Sequence, residues 1–121
     1  MSSRQVVFHD GRYNGRTLRE WLPDLVEAIR DEFDPIQIIL FGSVAAGREH
    51  RDSDIDLLVV LPKVDDKHAM AVALLEATVD VPVPVDLFPT DPEEIERRGN
   101  EIGSVLRPAL REGTVLYERA A

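Results

Sequence analysis

The sequence predicts an α/β (α+β) domain, a small mixed β-sheet of three to four strands flanked by helices. Three observations carry this expectation. Short apolar runs at 36–41, 55–61 and 81–88 alternate with segments of helical periodicity. The run Ile55–Leu61 is apolar on both faces, as a central strand covered on both sides must be. The 121 residues are 44% hydrophobic, enough for one ordinary core and one domain.

The elements follow in order. Residues 1–16 form an N-terminal extension of uncertain structure, with a short strand at Val6–Phe8 and two glycine turn signals in "HDGRYNGR". Residues 17–121 form the single domain. Leu18, Leu22, Leu25, Ile29 and Phe33 make one apolar helical stripe, and Pro23 splits it into a short first turn and a helix starting near that proline. Asp34–Pro35 ends the helix. Ile36–Phe41 reads as a strand, 42–53 as a loop or helical turn, and Ile55–Leu61 as a second strand ended by Pro62. Asp66–Thr78 reads as a helix, with Met70 and Leu74 on one side. The run 81–88 is a third strand that its prolines confine to an edge or make irregular. Asp91 then caps a helix, with Pro92 first and Glu94 closing a capping box. Residues 100–111 form a further helix weakened by Pro108, Gly113 ends it, and Thr114–Glu118 form a last strand.

Composition narrows the function. A net charge of −9 disfavours nucleic acid and anionic membrane as partners, because like charge repels phosphates. A small anion remains compatible, since a divalent cation inverts the local sign. The absence of cysteine excludes disulfides and thiolate zinc sites. With neither a signal-like N-terminus nor a bilayer-length apolar run, a soluble cytoplasmic protein is expected.

The chemistry concentrates in "ILFGSVAAGREHRDSDIDLLVVLP", Ile39–Pro62. Asp54 and Asp56 are two apart at a strand's start, so their side chains share a face. Two carboxylates so placed repel, and hard oxygen donors suit Mg²⁺ bridged to phosphate. Two such ions clamp the attacking and leaving oxygens of a phosphoryl displacement. If the third strand lies beside the second, Asp86 joins them, to bridge a metal and take a proton from a hydroxyl. Gly42 permits close backbone approach, and the N–H groups after it, with the Ser43 hydroxyl, suit a polyphosphate. Taken singly, a Gly-Ser step is usually a turn and an Asp-x-Asp usually solvated charge. The ordered combination, with ten residues between Ser43 and Asp54, argues for a site.

On these residues the chain resembles the nucleotidyltransferase superfamily with the DNA polymerase β-like fold, and within it the minimal MNT or MntA-like antitoxins. The ending "IGSVLRPALREGTVLYER" supports the resemblance, which runs from about Leu25 to Arg119. It implies that Gly42 and Ser43 bind a nucleoside triphosphate, that Asp54, Asp56 and Asp86 are catalytic and hold Mg²⁺, and that ATP is the substrate. It further implies a HEPN-domain ribonuclease toxin as partner, neutralised by AMP transfer to one of its tyrosines. The family often reads Gly-Ser-x-Ala-Arg-Gly, whereas this chain has Ala46 at the arginine position. Arg48 and Arg51, in the same loop, are the candidate replacements at the triphosphate. Ala46 also motivates an alternative, an antitoxin that neutralises its partner by binding alone. An antibiotic-type small-molecule adenylyltransferase is disfavoured by the small size.

The remaining singular residues point elsewhere. His9, His50 and His68 lack metal-ligand spacing, Trp21 reads as a core or interface anchor, and Tyr13 and Tyr117 as packing residues. Glu93, Glu94 and Glu96 complement a helix dipole. Short helices leave apolar surface for a homo- or hetero-oligomer.

Overall fold

The structure, a computed structural model, describes residues 6–120. Residues 1–5 of the expected N-terminal extension, and Ala121, lie outside the described residues.

What the extension does contain is a hairpin, β1 (Phe8–His9) and β2 (Arg12–Tyr13), paired antiparallel with Phe8 opposite Tyr13. The expected strand at Val6–Phe8 is thus shifted to Phe8–His9. Asp10 and Gly11 both adopt positive φ, 54° and 76°, as a tight two-residue hairpin turn demands. Asn14 closes the hairpin by accepting the Val7 N–H at 2.6 Å.

A 3₁₀ turn, Arg19–Trp21, leads into α1 (Leu22–Glu32), so Pro23 sits in the first helical turn, where a missing N–H costs nothing. Then follow β3 (Gln37–Phe41), a single helical turn α2 (Gly42–Ala45), β4 (Ile55–Val60) and α3 (Lys67–Ala77). Asp66 caps α3 by accepting the Ala69 N–H at 3.0 Å.

Next, β5 spans Val85–Thr90 rather than 81–88. Pro82 and Pro84 have no N–H for a ladder, and the preceding residues turn instead, with Val83 N–H bonded to Val81 O. The α4 helix is Pro92–Arg98 and is capped by Asp91 as expected. Glu94 stands in the first turn as expected, with its N–H on Asp91 at 2.9 Å, and its side chain does more than complement the dipole. It is 8% exposed, accepts the Thr90 hydroxyl at 2.6 Å and pairs with Lys67 at 2.8 Å. This ties α3, β5 and α4 together. The expected helix 100–111 shortens to α5 (Leu106–Glu112), where Pro108 falls in the first turn and breaks no intrahelical bond. Finally β6 spans Thr114–Glu118, as read from the sequence.

Four strands form one mixed sheet in the order β5-β4-β3-β6, with β4 and β5 parallel and the other pairs antiparallel. Alternation along the strands splits the core into two layers. Ile38, Leu40, Leu57 and Val59 pack with Leu25 and Ile29 of α1 and Leu74 of α3. Ile39, Phe41, Leu58 and Val60 pack with Leu106 and Ala109 of α5. The sheet is therefore covered on both faces, and β4 is buried along nearly its whole length. Among the described residues no helix is long and apolar enough to cross a membrane.

One consequence positions the site. The C-terminal end of β3 meets the N-terminal ends of β4 and β5, because β3 runs antiparallel to β4 and β4 parallel to β5.

Candidate active site

That shared end carries the three aspartates. In register, Phe41 lies opposite Asp56, and Asp56 lies beside Asp86. Asp54 stands two residues before Asp56. Asp56 is half-buried, whereas Asp54 and Asp86 are exposed. The Asp56 carboxyl is pushed up to about 6 by its burial first, then by the negative charges of Asp86 and Asp54 and a hydrogen bond with Asp86. The side chains are all hard oxygen donors, and a cation among them would relieve that repulsion. Among the described residues no three acidic or imidazole side chains are already gathered around a would-be ion. The donors therefore fit a divalent cation in kind, and binding would have to draw them together.

Gly42 closes the other side. Its φ is +81°, and a Cβ built there would run into the Asp56 carboxylate. The backbone conformation favours glycine, and any larger residue would displace the Asp56 carboxylate. The Gly-Ser step and the aspartates, separate in sequence, are thus in direct contact through Gly42 and Asp56.

A clasp holds the intervening loop. The Ser43 hydroxyl donates to Ser53 Oγ at 3.0 Å, and Ser53 Oγ also accepts the His50 N–H at 2.8 Å. Ser53 is buried. It joins the residue after Gly42 to the residue before Asp54. The sequence reading passed over Ser53, and its one signal was a small hydroxyl directly ahead of the Asp-x-Asp. Arg19 was missed too. Its guanidinium donates to the Val44 carbonyl and pairs with Glu49 at 3.0 Å, bracing α2 and the loop from outside.

The two loop arginines part company. Arg48 lines a cleft of about 440 Å³ with Phe41, Gly42, Ser43, Ala46 and Glu112. Arg51 lines a separate cavity of about 470 Å³ on the side of the N-terminal hairpin. His50 directs Nδ1 to the Asp52 N–H at 3.2 Å, a local turn contact. Trp21 is a core anchor as expected: it is 3% exposed, donates Nε1–H to the Tyr13 carbonyl at 2.8 Å and carries the Arg16 guanidinium 3.9 Å over its ring.

Comparisons with known proteins fit this geometry. The family model described as "Nucleotidyltransferase domain" matches residues 22–113. A search of curated proteins finds no match. Among solved structures, a Sulfolobus solfataricus protein assigned to the nucleotidyltransferases aligns with 20% identity and a TM-score of 0.57, over 83% of this chain and 79% of its own. A toxin–antitoxin crystallised with AMP-PNP aligns with 26% identity and a TM-score of 0.52, over 80% of this chain and 73% of its own. The toxin–antitoxin MntA-HpeT, in a mutant with two aspartates two positions apart changed to glutamate, aligns with 25% identity, the same TM-score of 0.52 and the same coverage. With the family model spanning most of the chain, from the start of α1 to the residue before β6, the protein belongs to the nucleotidyltransferase domain family.

Proposed function

We propose that the chain transfers AMP from Mg-ATP to a hydroxyl, with release of pyrophosphate. The observation that carries this is the contact of Gly42 with Asp56, beside Asp86 in register. It joins a polyphosphate-compatible turn to a carboxylate set in one place.

Asp54, Asp56 and Asp86 would hold two Mg²⁺ ions. When bound, these ions neutralise phosphate charge and favour in-line displacement at the α-phosphorus. The backbone N–H groups after Gly42 and the Ser43 hydroxyl orient the triphosphate, the Ser43 proton turning from Ser53 Oγ to a phosphate oxygen when the nucleotide binds. Asp86, at the exposed edge strand, takes the proton from the incoming hydroxyl. Arg48, on the cleft with Gly42 and Ser43, stabilises charge on the leaving pyrophosphate in place of the arginine that Ala46 replaces. Arg51 faces the other cavity, so Arg48 is the better placed of the two.

The acceptor, in this reading, is a tyrosine of a HEPN ribonuclease toxin in the cytoplasm, and the chain is its antitoxin. The toxin–antitoxin neighbours support a toxin partner, and the neighbour with AMP-PNP supports an adenine nucleotide. The net charge of −9 complements a basic, RNA-binding partner. Ala46 favours a second reading, neutralisation by binding alone. The test is transfer of label from α-labelled ATP to the co-purified toxin, alongside toxin neutralisation in cells. The proposal expects Asp54→Asn/Asp56→Asn to abolish both. If neutralisation survives the double change, protection is by occlusion.

A further inference from the structure

The cavity of about 470 Å³ on the hairpin side of the loop has no part in the donor site described above. Phe8, Tyr13 and Leu18 line it from before the family-matched segment, and Glu49, His50 and Arg51 from the loop that runs into Asp54. Thr17 and Tyr13 both line it with hydroxyls that the proposed reaction leaves unused, and Tyr13 is the better placed of the two. It also lines the neighbouring cavity of about 340 Å³ with Val83 and Pro84, the residues that run into β5 towards Asp86. Pro84 is itself stitched to the start of β4, its carbonyl accepting the Ile55 N–H at 2.9 Å. Tyr13 therefore stands where the approaches to Asp54 and Asp86 meet.

Its backbone is fixed. Tyr13 is paired with Phe8 across the hairpin, the two rings lie 4.7 Å apart, and its carbonyl holds the Trp21 indole N–H. The phenol is half-buried, and burial, then the negative charges of Asp54 and Asp52, raise its pKa. The chain's other tyrosine, Tyr117, lies on β6 at the opposite edge of the sheet, under the Arg30 guanidinium at 4.9 Å.

We propose that Tyr13 is a modification site of the chain itself, an acceptor for its own nucleotidyl transfer. This rests on the AMP-transfer reading of the site. Tyr13 Oη forms a bond to the α-phosphorus of ATP, the bond from that phosphorus to the bridging oxygen of the β-phosphate breaks, and pyrophosphate leaves with the electron pair. The phenolic proton passes to a carboxylate of the site and on to water. The product is a tyrosyl-AMP phosphodiester, and because the one phenolic oxygen is then esterified Tyr13 accepts a single AMP.

The test is incubation of the purified full chain with Mg²⁺ and α-labelled ATP, followed by intact mass and peptide mapping. Mg-ATP binding is measured in parallel by calorimetry. The expected result is a single AMP on Tyr13, at a first-order rate independent of protein concentration. The label is lost in Tyr13→Phe and in Asp54→Asn/Asp56→Asn, and retained in Tyr117→Phe. Binding of Mg-ATP without label, or label on Thr17, Tyr117 or a serine instead of Tyr13, overturns the Tyr13 proposal and leaves the transferase reading standing. Neither binding nor label overturns both.

Discussion

Replacing Asp56 by asparagine should stabilise the metal-free protein at neutral pH and abolish its proposed stabilisation by Mg²⁺. The magnitude follows from the rise of the Asp56 carboxyl from 3.8 to about 6. At about 1.4 kcal/mol per pH unit, that is at most about 3 kcal/mol. Water screens a carboxylate open to solvent at a strand's end, which leaves about 1 kcal/mol. The sign is set by proton affinity. The folded state holds this proton more tightly than the unfolded chain. The contribution to stability is therefore full below about pH 4 and is lost as the pH rises to about 6. Asparagine has no charge to lose. In EDTA the variant should match wild type near pH 4 and exceed it at pH 7.5, by about 4 °C in Tm. Adding Mg²⁺ should raise the wild type and not the variant, by mass action on the folded state. Thermal and urea denaturation at both pH values read this out. A variant less stable than wild type at pH 7.5 in EDTA, or equally favoured at both pH values, would refute the reasoning.

Other substitutions probe the rest of the site. Gly42→Ala forces a side chain into a φ of +81° and onto the Asp56 carboxylate. It should cost about 1–3 kcal/mol in urea unfolding and abolish Mg-ATP binding in calorimetry. Arg48→Ala should weaken ATP binding about tenfold, the scale of one charge-assisted bond, while Arg51→Ala leaves it unchanged. Equal losses would remove the distinction drawn from the two cavities. Ser53→Ala deletes the acceptor shared by Ser43 and His50. About 1–2 kcal/mol of stability should go with it, and hydrogen exchange in 46–53 should quicken.

The candidate site's main residues were legible because they stand at element boundaries. A Gly-Ser closing an apolar run and an Asp-x-Asp opening the next can be read from period-two alternation alone. Asp86 needed one further fact, that β5 lies beside β4, and the register of Asp56 with Asp86 supplies it. The β5 boundary slipped because β-branched residues at 81, 83 and 85 mask what Pro82 and Pro84 forbid, a ladder N–H. The hairpin was illegible for a different reason. Its strands are two residues each, too short for any period, and its order comes from Asp10, Gly11 and Asn14 in left-handed conformations. Ser53, Arg19 and Glu94 act through partners distant in sequence, which no local pattern announces. Glu94 looks like any acidic first-turn residue until Thr90 and Lys67 close over it.

In the proposed mechanism Gly42–Ser43 and the aspartates together form one magnesium-dependent nucleotide site. Calorimetric titration of ATP into the wild type, with Mg²⁺ and then with EDTA, tests it most directly when paired with Asp54→Asn/Asp56→Asn. Binding should require Mg²⁺ and be lost in the double variant. ATP binding equal in EDTA, or undiminished in the double variant, would contradict it, as would no binding to the wild type.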